Sequence, residues 1–233
     1  MSVTVTERNE ISQLSLPKKN GGHEIFYPES DGKPMAETDV HRKLMSSLIE
    51  SLEAFFKDKT DIYITGNIMF YYEEGNPRKS IAPDLMVVKG VHKNPRRVFK
   101  LWEEKVPDVV FEISSRGTWR DDLQKKYFLY QEFGVKEYYL FDPEYDYLRD
   151  GLVAYHLING EFEDIKLEEG RVFSPALGLE VVDTGKTLRL FSPEIREFLP
   201  TMEELTEQAA KAETLESEIE KLKAELAKLK RQI

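Results

Sequence analysis

Apolar residues follow two patterns along this chain, one with a helical period and one in short dense runs. From Ala36 to Lys57, the residues Val40, Leu44, Leu48, Leu52 and Phe55 recur at steps of three and four, which predicts a helix with one buried stripe. Five short runs follow, DIYIT, IMFYY, DLMVV, PDVVFEI and EYYLF, rich in the β-branched and aromatic residues that suit strands. Between the last two, from Arg120 to Phe133, the pattern turns helical and stops at Gly134, a residue suited to a helix C-cap. Strand, helix and strand at that spacing predict a crossover unit with parallel neighbours. Residues 152–190 continue as β-hairpin material, with Asn159–Gly160 as a turn between LVAYHL and FEDIKL. The fold class is therefore α/β, a mixed β-sheet core flanked by helices.

The two ends differ from this middle. Residues 1–22 are polar and close on Pro-Lys-Lys-Asn-Gly-Gly, as a loose arm would. Residues 23–191 form the expected domain, and 192–233 a C-terminal helical segment, with helix starts signalled at Ser192–Pro193 and at Pro200–Thr201. After Thr201 neither glycine nor proline occurs. Leu215, Ile219, Leu222, Leu226, Leu229 and Ile233 alternate steps of four and three, a heptad seam with Ile219, Leu226 and Ile233 at a and Leu215, Leu222 and Leu229 at d. Glu218 and Glu225 then occupy g, and Lys223 and Lys230 occupy e. Only a parallel pair sets these glutamates against these lysines. The expectation is a homodimer through a parallel coiled coil over 205–233, since the seam is too narrow for a helix that folds back on its own domain.

Composition narrows the chemistry. The 233 residues suit one domain and an appendage, and 40% hydrophobic content suffices for a core. Cysteine is absent, which removes disulfides and thiolate zinc sites. Without a signal-peptide pattern or a membrane-length apolar run, the expected location is cytoplasmic, with no membrane partner. The formal net charge of -10 argues against indiscriminate nucleic-acid binding. Local basic groups remain, among them Arg116 and Arg120.

The charged residues inside apolar runs carry the sharper signal. Glu112 lies within Val109–Val110–Phe111–Glu112–Ile113, where an unpaired carboxylate is costly to bury. Asp108 shares its strand face but stands roughly 13 Å away along the strand, too far to chelate the same ion. Asp84, opening DLMVV, is the candidate for a second acid, and the Ile113 carbonyl would accompany Glu112. Two carboxylates, a backbone oxygen and water make a magnesium-type donor set. The strand alone leaves the alternative open, a structural pairing of Glu112 with an arginine or lysine. On the following helix, Leu123, Tyr127 and Tyr130 mark one face; Lys126 lies on its edge and points inward, whereas Lys125 points away. Asp122, one turn before Lys126, could orient it. The four histidines show no two-ligand spacing; His41 starts the first helix, where a surface or capping role is expected over one facing the site. Glu50 is a further acid on that helix. No phosphate loop, dinucleotide fingerprint or nucleophile elbow occurs.

The order Asp84, Glu112, Lys126 resembles that of the PD-(D/E)XK nuclease superfamily. The stretch EISSRGTWRDDLQKKYFLYQEFGVKEYYLFDP is similar to the Uma-two family of restriction-endonuclease-like proteins, through Glu112, Ser114, Ser115, Asp122, Lys126, Tyr130, Gly134, Val135, Glu137, Tyr138, Asp142 and Pro143, with Pro83–Asp84 upstream. The resemblance covers about residues 30–190 and implies a restriction-endonuclease-like core. It departs from the superfamily at the position two after Glu112, which holds Ser114 where a lysine is usual, and it implies that Lys126 substitutes from the helix. It further implies an Mg²⁺- or Mn²⁺-dependent endonuclease acting on DNA. Asp84, Glu112 and the Ile113 carbonyl would hold the metal, Lys126 would act beside it, and Asp122, Ser114 and Tyr130 would support it. Arg116 and Arg120 would bind flanking phosphates. The alternative is a catalytically weak or inactive nuclease-fold protein that serves as a binding or assembly module through its coiled coil.

Overall fold

The computed structural model describes residues 25–30, 32, 38–148 and 150–230, and of 224–230 the backbone alone. The expected N-terminal arm, the Ala36 start of the first helix and the side chains of Glu225, Leu226, Leu229, Lys230 and Ile233 lie outside these.

Helix α1 (Asp39–Phe55) begins at Thr38, whose Oγ1 accepts the His41 N–H at 3.2 Å, an N-cap that satisfies one orphan donor. Its buried stripe is shifted from the predicted one: Leu44, Leu48 and Leu52 are buried as expected, His41, Met45 and Ser51 join them, and Val40 faces solvent. Strands β1 (Ile62–Thr65), β2 (Phe70–Tyr71), β3 (Ser80–Ile81), β4 (Leu85–Lys89), β5 (Phe99–Lys100) and β6 (Val109–Ile113) follow. The crossover helix is α2 (Trp119–Asp121), a π-helical turn (Asp122–Lys126) and α3 (Tyr127–Phe133), closed by Gly134 at φ 83°. Then come β7 (Glu137–Phe141), β8 (Leu152–Ile158), β9 (Glu161–Asp164), β10 (Arg171–Ser174), β11 (Leu179–Asp183), β12 (Leu188–Ser192), β13 (Glu197–Phe198) and the long helix α4 (Met202–Lys230).

A six-stranded sheet in the order β1-β4-β6-β7-β8-β9 forms the centre. β6 and β7 are parallel, as the crossover predicts, and the other four pairings are antiparallel. Side chains alternate across it. Leu85, Val87, Val109, Phe111, Ile113, Tyr139 and Phe141 pack on one side against α1 and the sheet β10-β11-β12-β13. Met86, Val88, Val110, Tyr138 and Leu140 pack on the other against Tyr130, Phe70, Ile81 and Phe99. Both faces of β4, β6 and β7 are thus covered, which is why their sequences are nearly continuous apolar runs. The third sheet, β3-β2-β5, consists of two-residue strands.

The tail departs from expectation at one point. Ser192–Pro193 does not start a helix; Ser192 ends β12, and β13 pairs back onto it through Phe191 with Phe198. The true start is Thr201, in a capping box: its Oγ1 accepts the Glu204 N–H at 3.2 Å and its own N–H donates to Glu204 Oε2 at 2.8 Å. Glu204 also takes both Nη atoms of Arg189, tying the first turn of α4 to β12. Farther out, Leu215, Ile219 and Leu222 are exposed on α4. Among the described residues, no helix is long and apolar enough to cross a membrane.

Candidate active site

The antiparallel register of β4 and β6 pairs Leu85 with Phe111, so one step further Asp84 comes opposite Glu112. Hydrogen bonds fix that approach. The Ile113 N–H donates to Asp84 Oδ2 at 2.7 Å, and the Asp84 N–H reaches Glu112 Oε2 at 3.4 Å. Gly66 makes the approach possible: a Cβ there would lie 2.0 Å from the Asp84 carbonyl oxygen and 2.8 Å from Ile49 Cδ1. The neighbouring Asn67 N–H donates to the Pro83 carbonyl at 2.8 Å. Nothing in the residue pattern singles out Gly66, because its role depends on its approach to Asp84, eighteen positions later.

The crossover helix brings the remaining groups to Glu112. Lys126 Nζ donates to Glu112 Oε2 at 2.8 Å and lies 3.0 Å from Asp122 Oδ1. The Tyr130 hydroxyl donates to Glu112 Oε1 at 2.6 Å. Ser114 Oγ donates to Asp122 Oδ2 at 3.3 Å, and the Tyr138 hydroxyl donates to the Asp122 carbonyl at 3.0 Å. Asp84, Glu112, Ile113, Ser114, Asp122, Lys126 and Tyr130 therefore meet at one place, and Lys125 stays exposed. His41 joins them: its Nε2 lies 3.0 Å from Asp84 Oδ2, so this residue faces the site where a surface or capping role was expected. Its only sequence signal was its place in the first turn of α1. Arg116 lines the same cavity, about 690 Å³ in volume, together with Thr38, Asp84 and Lys126. Arg120 is exposed, its guanidinium 4.4 Å from the centre of the Trp119 ring. Glu50 borders a separate cavity with Lys186 and Met202.

Other charged positions of the block serve the scaffold. Asp108 accepts the Lys89 N–H and Lys136 Nζ. Glu137 accepts from the hydroxyls of Tyr139 and Ser174 and from the Ala176 N–H, binding β7 to the loop after β10.

Charge at the site is unbalanced. Burial pushes the Glu112 carboxyl up to about 8; Lys126 opposes this, and the charges of Asp84 and Asp122 add to it. Burial also raises Asp122, against the pull of Lys126. Asp84 is held below the usual carboxylate range: burial acts to raise it, but the His41 hydrogen bond, the charges of Lys126 and His41 and the Ile113 N–H together outweigh burial. Burial alone would lower Lys126, yet the charges of Glu112, Asp122 and Asp84 carry it well above the usual lysine value. Three carboxylates thus share one ammonium and one imidazole. A hard divalent cation fits this surplus of negative charge and these oxygen donors. Among the described residues no three His, Cys, Asp or Glu side chains converge as a metal-binding group.

No curated protein matches the chain. A crystal structure of a protein from Anabaena variabilis ATCC 29413, described as "a putative nuclease belonging to DUF820", is similar over 62% of this chain and 76% of its own, with 18% identity and a TM-score of 0.46. The family model described as "Uma2: Putative restriction endonuclease" matches residues 13–185. That span is well over half of the 233 residues, and the chain belongs to the Uma2 family.

Proposed function

We propose that the protein is an endonuclease that hydrolyses phosphodiester bonds in DNA with the help of Mg²⁺ or Mn²⁺. The observation that carries this reading is the meeting of Asp84, Glu112 and Lys126 beside one open cavity. Asp84 and Glu112 would hold the ion, with the Ile113 carbonyl as a backbone donor. When bound, the ion supplies Lewis-acid polarisation of a phosphate oxygen and a more acidic water.

The chain's own groups do the rest. Lys126, held protonated by the acids around it, is a donor and a point charge, not a base. It stabilises negative charge growing on the phosphate oxygens. Asp122 and Tyr130 fix Lys126 and Glu112 in place, and Ser114 holds Asp122. Arg116, on the cavity wall, takes one flanking phosphate, and Arg120, over the Trp119 ring, takes another.

Plasmid cleavage with Mg²⁺ or Mn²⁺, wild type against Glu112→Gln, tests the reading, with calorimetry of metal binding beside it. Cleavage and metal binding that both vanish in the variant support it. A wild type that binds no divalent metal and cuts nothing sinks it.

A second reading rests on α4. Leu215, Ile219 and Leu222 are exposed along one seam, with Glu218 and Lys223 at flanking positions for a parallel pair. This favours a homodimer, and in an assembly protein that seam would be the working part.

A further inference from the structure

Phosphodiester hydrolysis does not require the pair of stacked rings, one of them on the cavity wall, that stands beside this site. Tyr147 lines the cavity together with Asp84 and Lys126. The Trp119 ring lies against it, with centroids 6.3 Å apart and planes inclined by 16°. Both rings are partly exposed, so neither is a core residue. Arg120 lies over the Trp119 ring, and Arg116 borders the cavity beside it.

The backbone under Tyr147 is anchored. Asp142, fully buried at the end of β7, accepts the N–H of Glu144 at 3.0 Å, of Tyr147 at 2.5 Å and of Leu148 at 3.0 Å. Asp142 thus ties the turn that carries Tyr147. The backbone that carries the ring is set before any ligand arrives, which lowers the entropy lost on binding.

We propose that Trp119 and Tyr147 form a base-stacking platform, so that the DNA strand entering this site is unpaired beside the cleaved phosphate. In a duplex both faces of each base are covered by its neighbours, and only a single-stranded or flipped nucleotide offers a face to a protein ring. Paired rings beside arginines match the chemistry of single-strand grooves, where stacking holds bases and cations hold phosphates. The inference rests on the cavity being the phosphodiester site, but its test reads binding, not cleavage.

The chain has two tryptophans, so in a Trp102→Phe background Trp119 is the sole indole reporter. Fluorescence titrations in EDTA compare oligo(dT) with a duplex of equal length. We expect oligo(dT) to quench Trp119 and to bind more tightly than the duplex. Tyr147→Ala weakens oligo(dT) binding roughly 10-fold or more, leaves duplex binding within about 2-fold, and Tyr147→Phe restores the loss. Should the alanine variant lose its fold, Tyr147→Leu keeps the bulk without the ring and reads the same loss. Absent quenching, equal affinity for both forms, or equal weakening of both overturns the platform. Cleavage with Mg²⁺ is scored separately on single-stranded DNA and on plasmid: single-strand binding with neither substrate cut removes the hydrolytic reading and leaves the platform, and cleavage with no strand preference in binding does the reverse.

Discussion

Lys126 Nζ stands 2.8 Å from Glu112 Oε2, joining a helix to the strand that precedes it. The same ammonium is 3.0 Å from Asp122 Oδ1. Glu112 and Asp122 are almost inaccessible to solvent, so whatever charge they carry is held by this lysine. Removing one partner of such a buried group costs about 3–5 kcal/mol, because it strands the rest. Lys126→Met is expected to lower stability by that order and to abolish cleavage. Adding Glu112→Gln is expected to recover part of the stability and none of the activity. Chemical denaturation of the two single variants and the double variant completes the cycle; strict additivity would show that the pair is not coupled.

The raised Glu112 carboxyl gives a sign to the pH dependence. In the unfolded chain this group titrates near the ordinary glutamate value; folded and metal-free, it titrates at about 8. Between those values the folded state binds more protons, so its stability falls as pH rises through that window. Thermal melts in EDTA are expected to show this decline for wild type, and Glu112→Gln is expected to flatten it. Added Mg²⁺ is expected to raise the wild-type melting temperature most at the alkaline end, where the carboxylate is free to bind.

His41 acts on the acid side. Its hydrogen bond helps to hold Asp84 below the usual carboxylate range. His41→Ala is expected to raise the Asp84 value and to move the acid limb of the pH–rate profile upward. A profile that falls uniformly at every pH would instead assign His41 to packing.

Gly66 offers a test of position without touching a charged group. A methyl group there collides with backbone, which has little freedom to yield. Gly66→Ala is expected to cost about 1–3 kcal/mol and to cut cleavage with it. Gly117→Ala, on the cavity loop with its nearest neighbour 3.9 Å away, serves as the control and is expected to stay within about 0.5 kcal/mol.

The capping box and the Arg189–Glu204 pair decide where a truncation of α4 belongs. A chain ending after Glu207 keeps both. It is expected to sediment as a monomer at concentrations where the full chain is a dimer, with unchanged melting of the domain. Equal mass for the two chains would remove the seam as a dimer contact.

How much of this was visible in the residues depends on distance along the chain. The β6–helix–β7 unit is local, and its apolar runs, its Gly134 stop and the inward edge of Lys126 all follow from period alone. Of the β3-β2-β5 sheet only β2 was legible, inside the IMFYY run; β3 and β5 were not, because two-residue strands have no period and β2 pairs in parallel with β5 across a long connection. β13 was hidden by Ser192–Pro193, whose helix-start chemistry also suits the turn that the sheet imposes there. Asp84 was found from its place before an apolar run; His41 and Gly66 reach it only through tertiary packing.

The π-helical turn at Asp122–Lys126 has a geometric result of its own. In a regular α-helix a step of four residues overshoots a full turn by about 40°, so Asp122, Lys126 and Tyr130 would fan out over about 80°. A π turn closes over more residues, and a step of four within it falls short. The shortfall before Lys126 offsets the overshoot after it, and the three side chains line up along one edge of the helix. Shortening that turn by one residue would leave the helix intact and swing its two halves out of phase, so that Asp122 and Tyr130 could no longer serve the same strand.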